Sequence, residues 1–319
     1  MWFSEFFWQT PGSWLFRRPT SAWLSNEALV SQLPRSYRFF ARFCSSQRAN
    51  PIGAELLLRF LILARRFSGK DSVVRLDIGD QPIFVDLSDP RFLAIPQELS
   101  GGLPRVLQTF LRPGDTFVDV GSNHGTFAVS AARLVSPEGL VIAIEPQVRL
   151  AGLLRRSLEL YEAPLIVHNV ACSDTAGMAN LYMPRASSGS SGLHRAYSGM
   201  CRHRSAPVPV ARLDDLLRHQ RLPGRVFMKL DVEGNEVRCL AGAREFLAAA
   251  RPNILLEVNP SALAAAGSSV TKLAEVLRAA GYHRYLGGRD FNEERTLTGA
   301  TTEPNLIAIP NPADAPSAP

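Results

Sequence analysis

Lysine is scarce in this chain. Three of its 35 basic residues are lysines, Lys70, Lys229 and Lys272, and the others are arginines. A lysine inside an apolar strand is therefore no accident of composition. The four cysteines, Cys44, Cys172, Cys201 and Cys239, are scattered and form no C-x-x-C pair. That excludes the common zinc and disulfide frameworks and reads as reduced thiols in a cytoplasmic protein. No uncharged apolar run reaches the ~18 residues a spanning helix needs. The longest candidate, 54–64, is interrupted by Arg59. The dinucleotide fingerprint G-x-G-x-x-G is also missing, which disfavours an NAD-dependent oxidoreductase. The first residues carry neither a basic leader nor a small-residue cleavage site, so they make a poor signal peptide.

What is present describes a globular protein: 319 residues, 46% hydrophobic and 20% charged, enough for one large or two modest domains. The net charge of +6 is carried by the N-terminal part, where residues 1–70 hold ten basic and three acidic residues. The remainder is nearly neutral, which argues against a nucleic-acid groove. Residues 1–24 contain all four tryptophans, and Arg17 and Arg18 stand nearby. They read either as a contact with a membrane interface or as a segment packing on its own domain or a partner protein. A helical extension over 1–70 is expected, then a hairpin over 72–87 around Gly79-Asp80. A core over 113–310 and a disordered proline-rich tail, 311–319, follow. The whole of 71–310 is read as one catalytic domain.

From Thr116 onward, strands alternate with helices of ten to fifteen residues, the pattern of a doubly wound, mostly parallel α/β sheet. The opening unit is Thr116-Phe117-Val118-Asp119-Val120-Gly121-Ser122-Asn123-His124-Gly125, with a helix after it. An acid two residues before the first glycine repels a pyrophosphate and attracts a cation. S-adenosylmethionine (SAM) carries an ammonium and a sulfonium and no phosphate. Gly121 and Gly125 are expected to let a ligand approach the backbone. Glu145 ends the second strand, where an acid can take both hydroxyls of a ribose. Pro146 after it suits a first helical turn. Ser173 and Asp174 follow the third strand, as an adenine contact or as an ordinary turn.

The second informative stretch is Met228-Lys229-Leu230-Asp231-Val232-Glu233-Gly234-Asn235-Glu236. Strand alternation is expected to put Lys229, Asp231 and Glu233 on one side, with Glu257 on the neighbouring strand facing the same cleft. Lysine, unlike arginine, can be shifted to neutrality and act as a base. A structural ion pair between Lys229 and Asp231 is the alternative. One segment, 185–207, breaks the alternation, as a lid or as an insertion.

Taken in order, these stretches and Leu256-Glu257-Val258 resemble the FkbM-type SAM-dependent methyltransferases over roughly residues 110–260. The resemblance implies a class I (Rossmann-like) methyltransferase fold and O-methylation of a hydroxyl on a sugar, glycan or natural-product-like small molecule. SAM is then the cofactor, with Asp119, Gly121, Ser122, Asn123, Gly125, Glu145, Pro146, Ser173 and Asp174 as its expected contacts. Lys229, Asp231, Glu233 and Glu257 are the expected catalytic set. Asp231 and Glu257 also suit a hard ion such as Mg²⁺, which the sequence leaves undecided. A non-catalytic scaffold on the same fold stands beside this reading.

Overall fold

The computed structural model describes residues 24, 26–45, 57, 58, 60–64, 71–101, 103–184, 188–195, 203–299, 301 and 303–311. The aromatic segment 1–23 and the tail beyond 311 lie outside the described residues. Among the described residues no helix is long and apolar enough to cross a membrane.

Thirteen strands are described. β1 (Val73–Ile78) and β2 (Gln81–Asp86) form an antiparallel hairpin. The eight-stranded main sheet contains β3 (Thr116–Val120), β4 (Leu140–Ile144), β5 (Leu165–His168), β9 (Val226–Leu230), β10 (Asn253–Glu257), β11 (Tyr282–Gly287), β12 (Glu293–Arg295) and β13 (Asn305–Pro310), in the order β12-β11-β13-β10-β9-β3-β4-β5. The run from β10 to β5 is parallel, and β13 is antiparallel to both β10 and β11. β3, β4 and β9 are buried along their whole length, which is why they read as nearly unbroken apolar runs: helices cover both faces of a parallel sheet.

Alternation along these strands creates two cores. Val118, Ile142, Met228, Ile254 and Leu256 pack on one face. Phe117, Val141, Ala143, Phe227 and Leu255 pack on the other, in the same cluster as Leu33, Tyr37 and Phe40 of the N-terminal helices and Leu76 and Ile83 of the hairpin. The hairpin and the described part of the helical extension therefore share the sheet's core. Phe227 stacks between Phe110 and Phe117, with centroids 5.2 and 6.1 Å away. Two residues further along β3, β9 and β10, the same face turns polar and presents Asp119, Lys229 and Glu257. An apolar floor thus gives way to charge at the carboxyl ends of three adjacent strands.

Several elements are short or divided. The stretch before β3 carries two helices, Ile95–Ser100 and Leu103–Phe110. The helical stretch after β9 is divided at Gly242 into Glu236–Ala241 and Arg244–Ala250, and a β-carbon at Gly242 would strike the Ser173 carbonyl, so glycine is needed at the division. A second, three-stranded sheet is new: β6 (Ala171–Cys172), β8 (His203–Ala211) and β7 (Gly177–Pro184), in the order β6-β8-β7. The end of the irregular 185–207 segment is thus the first half of β8, and residues 188–195 form a loop at the tip of the β7–β8 pair.

Candidate active site

The turn after β3 is a closed circuit of hydrogen bonds. The N–H groups of Gly121 and Ser122 both donate to the Ile144 carbonyl, at 3.0 Å, and that of Gly125 to the Ser122 carbonyl at 2.8 Å. The Asn123 N–H donates to Glu145 Oε2 at 2.9 Å, and the His124 N–H to Asn123 Oδ1 at 2.8 Å. The Ser122 hydroxyl donates to the Asp119 carbonyl and accepts from the Ile144 N–H. All five N–H groups of 121–125 are spent inside the protein. A phosphate cradle needs them pointed at the ligand, so this turn is not one.

The glycines serve packing. Gly121 and Gly125 have φ of +85° and +86°, a region that costs other residues strain. A β-carbon on Gly121 would overlap the Asp231 carbonyl oxygen, and one on Gly125 would overlap Leu154. Their missing side chains face protein, not a ligand, which corrects the reason the sequence suggested. Asn123 also takes a positive φ, +52°, which asparagine tolerates. Its Nδ2 donates to the Ser188 carbonyl at 3.2 Å. The tip loop 188–195 is thus laid across the turn.

Glu145 is buried, and each carboxylate oxygen accepts one backbone N–H, from Asn123 and, at 2.8 Å, from Gln147. Burial pushes its carboxyl up to about 7, against these hydrogen bonds. A lone pair remains on each oxygen, so two further donors, such as the hydroxyls of a ribose, suit it. Pro146 precedes the helix Val148–Leu158, which is flanked by Gln147 at its N-cap; it does not occupy the first turn. Its position is fixed instead by Asn169, whose Nδ2 donates to the Glu145 and Pro146 carbonyls at 2.8 and 2.9 Å. Ser173 is buried and hydrogen-bonded to Asp174 at 3.1 Å.

Lys229 lies opposite Asp119 in the β3–β9 register. Its Nζ is 2.9 Å from Asp231 Oδ2, 3.3 Å from the Gly121 carbonyl and 3.8 Å from Asp119 Oδ1, over the Phe127 ring. Burial works to neutralise the ammonium, but Asp231 and Asp119 outweigh it and raise its pKa. These contacts are those of the ion pair that stands as the alternative to a base. At Asp119 the balance falls the other way. It is 0% exposed with no hydrogen-bond donor on either oxygen, and burial pushes it to about 6 despite Lys229. The structure puts Asp119 behind the cleft wall, as the partner that positions Lys229.

Asp231, Glu233 and Glu257 do come together, each with a carboxylate oxygen within 4.8 Å of the others. Strand alternation is not the cause. β9 ends at Leu230, and Glu233 reaches the group through a tight turn in which it has φ +53°. Glu236 holds that turn, its Oε1 accepting the N–H groups of Val232 and Gly234, each at 3.1 Å. Gly192 of the tip loop packs closely against Glu233, where an added β-carbon would stand 3.1 Å from the Glu233 carbonyl oxygen, and His194 is hydrogen-bonded to Asn235 at 3.2 Å.

A further wall went unread in the sequence. Asp89 caps the short 3-10 turn Pro90–Leu93, accepting the Arg91 N–H. Its other oxygen takes Arg149 at 3.0 Å, and Arg149 also reaches Asp86. Arg91, paired with Glu98, contributes positive charge near Asp231 and Glu233. Asp89-Pro90, a cap followed by a first-turn proline, was the available signal. His124 is buried against this wall, and burial pushes its imidazole down to about 4, which leaves it neutral.

Sheet order and strand-end carboxylates define a class I methyltransferase fold. The model of the methyltransferase FkbM domain matches residues 119–284, and the chain belongs to the FkbM methyltransferase family. No curated protein matches it. Among solved structures it is similar to an FkbM methyltransferase from Methylobacillus flagellatus KT, at 16% identity over 69% of this chain and 54% of that one, TM-score 0.40. It thus spans about half the length of that protein. It is also similar to M. jannaschii TYW2 in complex with AdoMet, at 14% identity over 76% and 85% of the two chains, TM-score 0.40. A SAM-dependent O-methyltransferase from Thermotoga maritima matches at 11% identity over 78% and 81%, TM-score 0.35.

Proposed function

We propose that this chain transfers a methyl group from SAM to a hydroxyl oxygen on a sugar, glycan or natural-product-like acceptor. The observation that carries the cofactor half is the turn after β3. Its N–H groups are spent internally and the Glu145 carboxylate closes it, so it suits a cofactor without phosphate and opposes a pyrophosphate. Bound SAM supplies a methyl group already activated by its sulfonium. Glu145 would hold the ribose hydroxyls, and the carbonyl-rich turn would face the cofactor's positive charges.

The acceptor half rests on the three carboxylates at the ends of β9 and β10. They offer oxygen atoms to which sugar hydroxyls can donate. Lys229 fixes Asp231, Glu236 fixes the Glu233 turn, and the tip loop packs over that turn. Positioning of this kind is the main protein contribution when the donor is already activated.

The test supplies SAM with a tritiated methyl group and a panel of hydroxylated sugars and glycosides. Label is expected in alkali-stable ether linkage on the acceptor. Label that is released by mild base, or that resides on nitrogen, would overturn the O-methyl assignment. No transfer to any acceptor, with SAM bound, would favour the non-catalytic reading.

A further inference from the structure

The carboxylates beside Lys229 outnumber the cations available to them. Asp119 and Asp231 lie within 4 Å of one ammonium, Glu233 and Glu257 add their charge beside it, and the Arg91 guanidinium is already paired with Glu98. Like charges this close cannot all remain ionised without a counter-charge. Two of the acids leave an oxygen with no protein partner. Glu257 is 8% exposed and its Oε2 has no hydrogen bond; Glu236 is 1% exposed and the same holds for its Oε2. A buried oxygen left this way is costly, and here one of them belongs to the group of three whose oxygens lie within 4.8 Å of one another. The third element is access. The Asp231 side chain is 33% exposed, so the group opens toward the cleft.

We propose that Asp231, Glu233 and Glu257 bind a hard divalent cation of the Mg²⁺ or Mn²⁺ kind, with hydroxyl oxygens of the acceptor among its remaining ligands. Oxygens around such an ion sit about 2.1 Å from it, hence roughly 3 Å apart for neighbours and 4 Å across. The observed spacing needs little closure to reach this. Asp231 gives Oδ2 to Lys229 and keeps Oδ1 for the ion. Few protein ligands and an open side are what Mg²⁺ prefers, since it retains waters or substrate oxygens. The proposal rests on the O-methyl reading for its acceptor, but the site itself is testable without it.

The experiment titrates the chelator-treated full-length chain with MnCl₂ alone and follows the electron paramagnetic resonance signal of free Mn²⁺. One Mn²⁺ per chain is expected, displaced by excess Mg²⁺. Glu257→Gln and Glu233→Gln preserve shape, and each is expected to weaken binding by roughly 10–100-fold or more, the loss seen for perturbed metal sites. Absence of stoichiometric binding to the unaltered chain overturns the proposal, whatever the variants do. So does unchanged binding in both variants with their folding confirmed by circular dichroism. SAM binding measured on the same preparation separates the two levels. Retained SAM affinity without Mn²⁺ removes the cation and leaves the methyltransferase reading intact. Loss of SAM binding as well counts against that reading.

Discussion

Lys229→Met is expected to lower the unfolding free energy by about 3–5 kcal/mol, the cost of leaving a buried charge without its partner. The substitution preserves length and apolar stem, so the loss isolates the ammonium. Asp119 would lose the one cation within 4 Å among the described residues and Asp231 a 2.9 Å hydrogen bond. The double variant Lys229→Met/Asp119→Asn should recover much of the loss, because it removes the stranded charge too. A pH dependence follows with a defined sign. The Asp119 carboxyl stands at about 6 in the folded protein against 3.8 for the free group, and without the ammonium it rises further. The folded variant then keeps a proton that the unfolded chain has released, so the variant's stability falls as pH rises through that window. Its deficit relative to the parent should be larger at pH 8 than at pH 6, as read from urea midpoints. A Lys229→Met protein as stable as the parent, with turnover alone lost, would restore the lysine to the role of base.

The second large effect is at Gly121. Gly121→Ala should cost about 3 kcal/mol or more, combining a residue forced to φ +85° with a β-carbon placed on the Asp231 carbonyl. The obstacle is backbone, which cannot swing aside. Gly79→Ala is the control. Gly79 has φ +62° in the β1–β2 turn with nothing within 4 Å of the added carbon, so it should cost only about 1–2 kcal/mol. Equal costs at the two positions in denaturant unfolding would refute the packing role of Gly121. Since the displaced carbonyl belongs to Asp231, the same change should also weaken Mn²⁺ binding at the carboxylate group.

These two residues show where the sequence was informative and where it was not. The alternation of apolar runs with helical stretches revealed the parallel sheet, because strands buried on both faces must be apolar throughout. Lys229, Asp231 and Glu257 stood out as charges at the ends of such runs, and the structure gathers them. Their division of labour was not legible. Whether Lys229 is a base or a clamp depends on Asp119 across the β3–β9 register, a neighbour 110 residues distant in the chain. The wall of Asp86, Asp89, Arg91 and Arg149 escaped for the same reason, since it joins the hairpin to the helix after β4. Glu233 arrived by a left-handed turn that period-two reasoning cannot describe. The three-stranded sheet was hidden in a polar segment whose strand β8 carries two prolines, Pro207 and Pro209, residues that ordinarily argue against a strand.

The central claim is that the β3–β4 end of the sheet binds SAM, and calorimetric titration of the full chain tests it most directly. SAM should bind with one site per chain and NAD⁺ should not bind. Glu145→Gln, which keeps shape but turns one accepting oxygen into a donating amide and so gives up one of the backbone N–H bonds from Asn123 and Gln147, should weaken SAM by about 1–3 kcal/mol without unfolding the protein. A chain that ignores SAM, or that binds NAD⁺, or whose SAM affinity is indifferent to Glu145→Gln, would contradict the account.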